Sequence, residues 1–163
     1  MALKLISKDL AKGSKLDTKF VFKGMHCNGD NISPELVWKN VPKNTKSFAI
    51  TLHDPDAPTA SGWWHWIAYD IPADITEFKR GASENIEMIS AAIKQARNDY
   101  GYNGYGGACP PVGDHPHRYV FTIHALNIEH LDVSEDSSAS LIHFNINAHT
   151  IEKDSIMSIF WYD

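Results

Sequence analysis

Residues 104–121 read GYGGACPPVGDHPHRYVF. Gly104, Gly106, Gly107 and Gly113 let backbone come close to a neighbour or a ligand, while Pro110, Pro111 and Pro116 hold the loop stiff. His115 and His117 add groups that titrate near neutral pH. The loop runs into an alternating segment, Arg118 to Ile128 (RYVFTIHALNI). Tyr119, Phe121, Ile123 and Ala125 fall on one face with His117, and Arg118, Val120, Thr122 and His124 on the other. A stiff loop with titratable groups at the mouth of a strand is a common way to build a binding site.

A second cluster lies upstream. Ser47 to Asp54 (SFAITLHD) alternates, with Phe48, Ile50 and Leu52 opposite Ala49, Thr51 and His53, and Pro55 stops it. After the loop DPDAPTASG, strand character resumes from Trp64 to Ile71, with His65, Ile67, Tyr69 and Ile71 predicted opposite Trp64, Trp66, Ala68 and Asp70. An antiparallel pairing of these strands places Asp54 and His65 at the same end of a sheet.

Shorter strands are expected at Leu3 to Ile6, Lys19 to Phe22 and Leu36 to Trp38, and a last one at Ser155 to Trp161. Helical spacing of Ile86, Ile89, Ile93 and Ala96 predicts a helix over Ser83 to Arg97. The Ser/Asp-rich start of Asp136 to His149 predicts a second. Strands outnumber helices without βαβ alternation. The expected fold is therefore mainly β, an antiparallel β-sandwich with a few short peripheral helices, in one domain spanning residues 1–163.

Composition narrows the partners. The 163 residues carry a formal net charge of −5, which argues against nucleic acid. The first residues, MALKLISKDLAKGSKL, contain no long apolar run, so neither a signal peptide nor a membrane span is expected, and the expected location is cytoplasmic. Cys27 and Cys109 form no disulfide framework and no CxxC pair. Reduced thiols are the expected state; sequence does not give their distance, so a single bridge stays open.

DPDAP at Asp54 to Pro58, Trp64-His65 and the 104–121 stretch together resemble the two signature regions of the phosphatidylethanolamine-binding protein family, that of the Raf kinase inhibitor proteins. SGWWHW and YGGACPP are similar to its bacterial, Raf-kinase-inhibitor-like branch. The resemblance implies two antiparallel sheets in a sandwich and a small pocket for phosphate or a phosphorylated head group. It implies Asp54 and His65 as pocket residues from the first region, with Gly107, Cys109, Pro111, His117 and Tyr119 from the second. It implies a non-enzymatic binding protein without a cofactor, with a kinase or protease as a protein partner. It also implies a homodimer, for which the segments around Trp63 and Phe160-Trp161 are candidates. Eukaryotic members carry glycine where Cys109 stands, and a longer C-terminal helix.

Phosphate needs donors, and the amides of Gly106 to Cys109, His65, His117 and the Tyr119 hydroxyl are candidates. Asp54 would repel a phosphate unless a proton is shared or a histidinium offsets the charge, so affinity should rise as pH falls. Ala57-Pro58 is a candidate cis bond. The alternative function is a metal-dependent hydrolase with Asp54, His65 and His117 as ligands and His115 in reserve. No HExxH or GxSxG pattern supports hydrolysis, and Cys109 beside proline reads as a packed thiol.

Overall fold

Alternating apolar residues turn the central segments into strands, and the apolar face of each must be covered. The computed structural model describes all of residues 1–163. In chain order its elements are β1 (Lys4–Ile6), β2 (Lys23–Gly24), β3 (Cys27–Asn28), β4 (Leu36–Lys39), β5 (Ser47–Asp54), β6 (Trp63–Pro72), β7 (Glu77–Phe78), α1 (Ile86–Ile89), β8 (Lys94–Gln95), β9 (His117–Leu126), α2 (Ala139–His149) and β10 (Thr150–Phe160). One sheet has the order β10-β9-β5-β6-β8, a second β1-β4-β7, and β2-β3 is a hairpin; the paired strands are antiparallel.

The expected β-sandwich is what forms. Phe48, Ile50 and Leu52 of β5 and Tyr119, Phe121, Ile123 and Ala125 of β9 enter the main core with Trp38 and Phe78 from the second sheet. The opposite face of the larger sheet is covered by α2, whose Ile142 and Ile146 pack with Ala49, Ile67 and Leu126. Ser138 caps α2, its hydroxyl accepting from Leu141 N–H at 3.1 Å. His124 is buried on that side against Thr150 and Thr51, a structural histidine that burial pushes down to about 3.

Strict alternation fails in β6. Leu52 pairs with Trp66 and His53 with Trp64, so His65 is an extra residue with no partner across the ladder. The bulge sends Trp66 into the main core and Trp64 into the α2 core, although sequence alternation puts them on one face. A second irregularity follows, where Phe48 pairs with Ile71 and Ile50 with Ala68. There Asp70 takes φ 56°, and its buried carboxylate accepts from Leu131 N–H at 2.9 Å.

Three other expectations change. The helix over Ser83 to Arg97 shrinks to a 3₁₀ turn at Ala82–Asn85 and the single turn α1. Lys94–Gln95 instead pairs with β6, and the Gln95 side chain accepts from Trp66 Nε1 at 2.7 Å and from Ser83 Oγ at 2.7 Å. These tertiary bonds outweigh a marginal helical preference. Lys19 to Phe22 opens as a 3₁₀ turn at Thr18–Phe20, capped by Asp17. The Ala57-Pro58 bond is trans, as are all peptide bonds in the chain.

No helix is long and apolar enough to cross a membrane.

Candidate functional site

The ends of β5 and β6 and the entry to β9 meet at one edge of the larger sheet, where a cavity of about 220 Å³ opens. Asp54 closes β5, and its Oδ1 accepts from the Asp56 amide at 2.8 Å, a local turn that aims the carboxylate. Asp56 in turn clamps Arg118 through Nε at 3.0 Å, Nη2 at 2.9 Å and the backbone amide at 2.8 Å. That fork holds the Asp56 carboxyl down to about 2. The DPDAP loop is thus tied to the start of β9 by a charged pair next to the cavity.

His117 makes the parallel tie one residue earlier. Its buried ring donates from Nδ1 to Asp54 Oδ2 at 2.7 Å and from Nε2 to Asp114 Oδ2 at 2.7 Å. Burial opposes charging the ring, but the bonds to Asp114 and Asp54 outweigh it and raise its pKa above the ordinary histidine value. With both nitrogens donating, the ring is an imidazolium held between two carboxylates. It offsets the charge of Asp54 without offering a spare donor to a ligand.

His65 has the opposite character. Its Nδ1–H donates to the Gly106 carbonyl at 2.8 Å, and burial drives its pKa down to about 4 against the pull of Gly106 and Asp54. The ring is neutral at physiological pH. Nε2 therefore carries a lone pair, has no partner within the chain, and belongs to a residue on the cavity wall.

Of the expected residues, Asp54, His65, Cys109, Pro111 and His117 line the cavity together. Gly107 and Tyr119 stand behind the wall. A Cβ on Gly107 would meet Phe20 O at 2.1 Å and Phe22 N at 2.7 Å, so glycine is required there by backbone packed on backbone. Its amide donates to Asn31 Oδ1 at 2.8 Å and the Gly106 amide to His65 O at 2.8 Å, which commits both amides away from a ligand. Tyr119 lies edge-on to His65, centroids 5.4 Å apart, with a buried hydroxyl that has no hydrogen-bond partner.

Sequence reading missed Trp63, Tyr100, Met25 and His26, which also line the cavity. Tyr100 stacks on Phe22 at 3.8 Å and donates to Gly107 O at 2.8 Å; only the long-range fold brings it there. The Trp63 Nε1–H is buried without an acceptor. The expectation of reduced thiols is corrected: Cys27 and Cys109 are joined by a disulfide across 82 positions, tying the β2–β3 hairpin to the cavity rim. The segment from Phe22 to Cys27 brings them together, with Phe22 N–H donating to Ala108 O at 2.9 Å.

Known proteins share this arrangement of chain. Residues 6–161 match the family described as Phosphatidylethanolamine-binding protein. The chain is 48% identical over 158 residues to the UPF0098 protein YbhB of Escherichia coli K12, covering 97% of this chain and 99% of that protein. It is 44% identical over 161 residues to YbcL of the same organism, covering 98% and 87% respectively. The crystal structure of E. coli YbcL, described as a new member of the mammalian PEBP family, superposes with a TM-score of 0.95 at 42% identity over the full length of both chains. A homologue from Chlamydia trachomatis superposes with a TM-score of 0.81 at 28% identity, over 99% of each chain. With the sandwich, the cavity at its edge and these matches in agreement, the chain belongs to the phosphatidylethanolamine-binding protein family.

Proposed function

We propose that this is a non-enzymatic binding protein whose cavity takes a phosphate ester in its singly charged, protonated form. Membership of the family supports a binding role. The observation that carries the finer reading is the unequal donor and acceptor inventory of the wall. Asp54 and the His65 Nε2 lone pair are acceptors, whereas Trp63, also on the wall, carries an enclosed Nε1–H without a partner that becomes a donor to a ligand once the indole turns toward the cavity. A phosphate dianion meets two acceptors and is repelled. A monoanion donates its P–OH to Asp54 or His65 and accepts from Trp63 with another oxygen.

The sign of the pH dependence follows. The second ionisation of a phosphate ester lies near pH 6, so each unit above that removes about nine-tenths of the binding form. Isothermal titration of phosphoethanolamine is therefore expected to show affinity falling roughly tenfold per pH unit above about pH 7, with uptake of a proton from buffer. Affinity that stays level from mildly acid to alkaline pH contradicts the proposal.

The metal-dependent hydrolase reading ranks second, because it needs a free lone pair on His117 and both ring nitrogens already donate to carboxylates. The proposal extends, through the family, to a kinase or protease as protein partner and to a homodimer. Trp161 is partly exposed for such a contact, whereas Phe160 belongs to the core and Trp63 to the cavity. A disulfide suits an oxidising compartment, which weighs against the cytoplasmic location expected from the first residues.

A further inference from the structure

We propose that Cys27, Cys109 and His26 form, once the disulfide is reduced, a binding site for a thiophilic d¹⁰ cation such as Zn²⁺ at the rim of the cavity. The three side chains can each present one ligand atom within 4.8 Å of the others. His26 Nε2 stands 3.9 Å from Cys109 Sγ. A tetrahedral zinc ion, with bonds of about 2.3 Å to sulfur and 2.0 Å to nitrogen, spaces its ligand atoms by about 3.5–3.8 Å. The sulfurs need to part from bonding to contact distance, and His26, whose ring nitrogen lies within 4.8 Å of both sulfurs, needs to close to about 3.5 Å from each.

Backbone packing independent of the sulfur–sulfur bond holds the two cysteines facing each other. Phe22 N–H donates to Ala108 O, Lys23 pairs with Asn28 across the hairpin, and Gly107 lies against the backbone of Phe20 and Phe22. His26 is exposed, and Nε2 donates to Pro110 O at 2.9 Å, a bond that water can replace when the nitrogen turns to a cation. The ring edge against Tyr162, at 5.8 Å between centroids, limits its rotation. Because His26 and Cys109 both line the cavity, the fourth position on the ion faces the space where a ligand oxygen or water would sit. A site of three protein ligands with one open position is the pattern of a reactive rather than a sealed zinc centre.

The redox step balances with a dithiol as reductant. Its thiolate attacks Cys109 Sγ, which is the more accessible sulfur because Cys27 is buried, and Cys27 leaves as a thiolate. The second thiol of the reductant then displaces Cys109 and forms the reductant's own disulfide. Two electrons and two protons have passed to the protein, and the cation displaces both protons when it binds.

The test uses the full chain reduced anaerobically with dithiothreitol, desalted, and titrated with Co²⁺ as an optical probe before competition with Zn²⁺. One cobalt per chain with thiolate-to-metal charge-transfer absorption is expected, displaced by Zn²⁺ and absent from the oxidised protein. His26→Ala should weaken binding by about 10–100-fold, and His149→Ala, on α2, should leave it unchanged. The site is overturned by the absence of thiolate-to-cobalt absorption in a chain with two free thiols, or by equal affinity in His26→Ala. It is also overturned if near-ultraviolet dichroism shows the reduced chain unfolded and metal does not restore it.

Discussion

Reduction of the Cys27–Cys109 bond is expected to lower the unfolding free energy by about 2–5 kcal/mol. The bond closes a loop over 82 positions, so it removes much of the freedom of the unfolded chain, and the loop-entropy relation gives about 4–5 kcal/mol. At roughly 2–4 °C per kcal/mol for a chain of this size, the midpoint should fall by about 4–20 °C. The native contacts around the bond do not depend on it, since the Phe22–Ala108 hydrogen bond and the backbone packing at Gly107 remain. The reduced protein should therefore stay folded, with a lower midpoint and an unchanged dichroism spectrum. Thermal melts with and without dithiothreitol, and of Cys27→Ser/Cys109→Ser, should give the same fall. A midpoint indifferent to reductant would mean that the two cysteines are not joined in solution.

His117→Ala is expected to cost about 3–5 kcal/mol, because it leaves the buried Asp54 carboxylate facing Asp114 with no cation between them. Asp54 would keep the Asp56 amide as a donor, with the Tyr119 hydroxyl close by. Asp114→Asn should cost much less, since that side chain is 36% exposed and water can replace the lost partner. The pH dependence has a definite sign. The folded pKa of His117 is raised above its unfolded value near 6.5, so its contribution is complete below about pH 6.5 and fades as pH rises through the raised value. Urea midpoints of the wild type and His117→Ala, compared at acid and alkaline pH, should converge as pH rises. A gap between them that is constant with pH would contradict the imidazolium assignment.

The faces of β5 and β9 were legible because period-two alternation there meets no irregularity, and every apolar residue on the inner face reaches the core. The same logic failed in β6, where one extra residue at His65 puts Trp64 and Trp66 on opposite sides of the sheet. That bulge turns a ladder residue into a cavity residue, and single-sequence periodicity carries no sign of it. Asp54, His65, Pro111 and His117 were legible as pocket residues through the resemblance of their motifs, not through local chemistry. Their roles were not legible: His117 read as a donor to a ligand, yet it spends both protons on carboxylates. The loop amides of Gly106 and Gly107 are likewise spent on the fold. Trp63 and Tyr100 escaped because neither lies in a pattern that local rules recognise, and the disulfide escaped because its partners are 82 positions apart. Helical spacing from Ile86 to Ala96 was real but lost to the bonds Gln95 makes with Trp66 and Ser83.

A protonated phosphate ester is expected to sit among Asp54, His65 and Trp63. A crystal of the protein grown without phosphate or sulfate and soaked in phosphoethanolamine at about pH 6, near the ester's second ionisation, tests it most directly. Phosphate density is expected in the cavity, with one oxygen within hydrogen-bond distance of His65 Nε2 or Asp54 and another within reach of Trp63 Nε1. Phosphate bound elsewhere on the chain, or an empty cavity at saturating ligand, would contradict it.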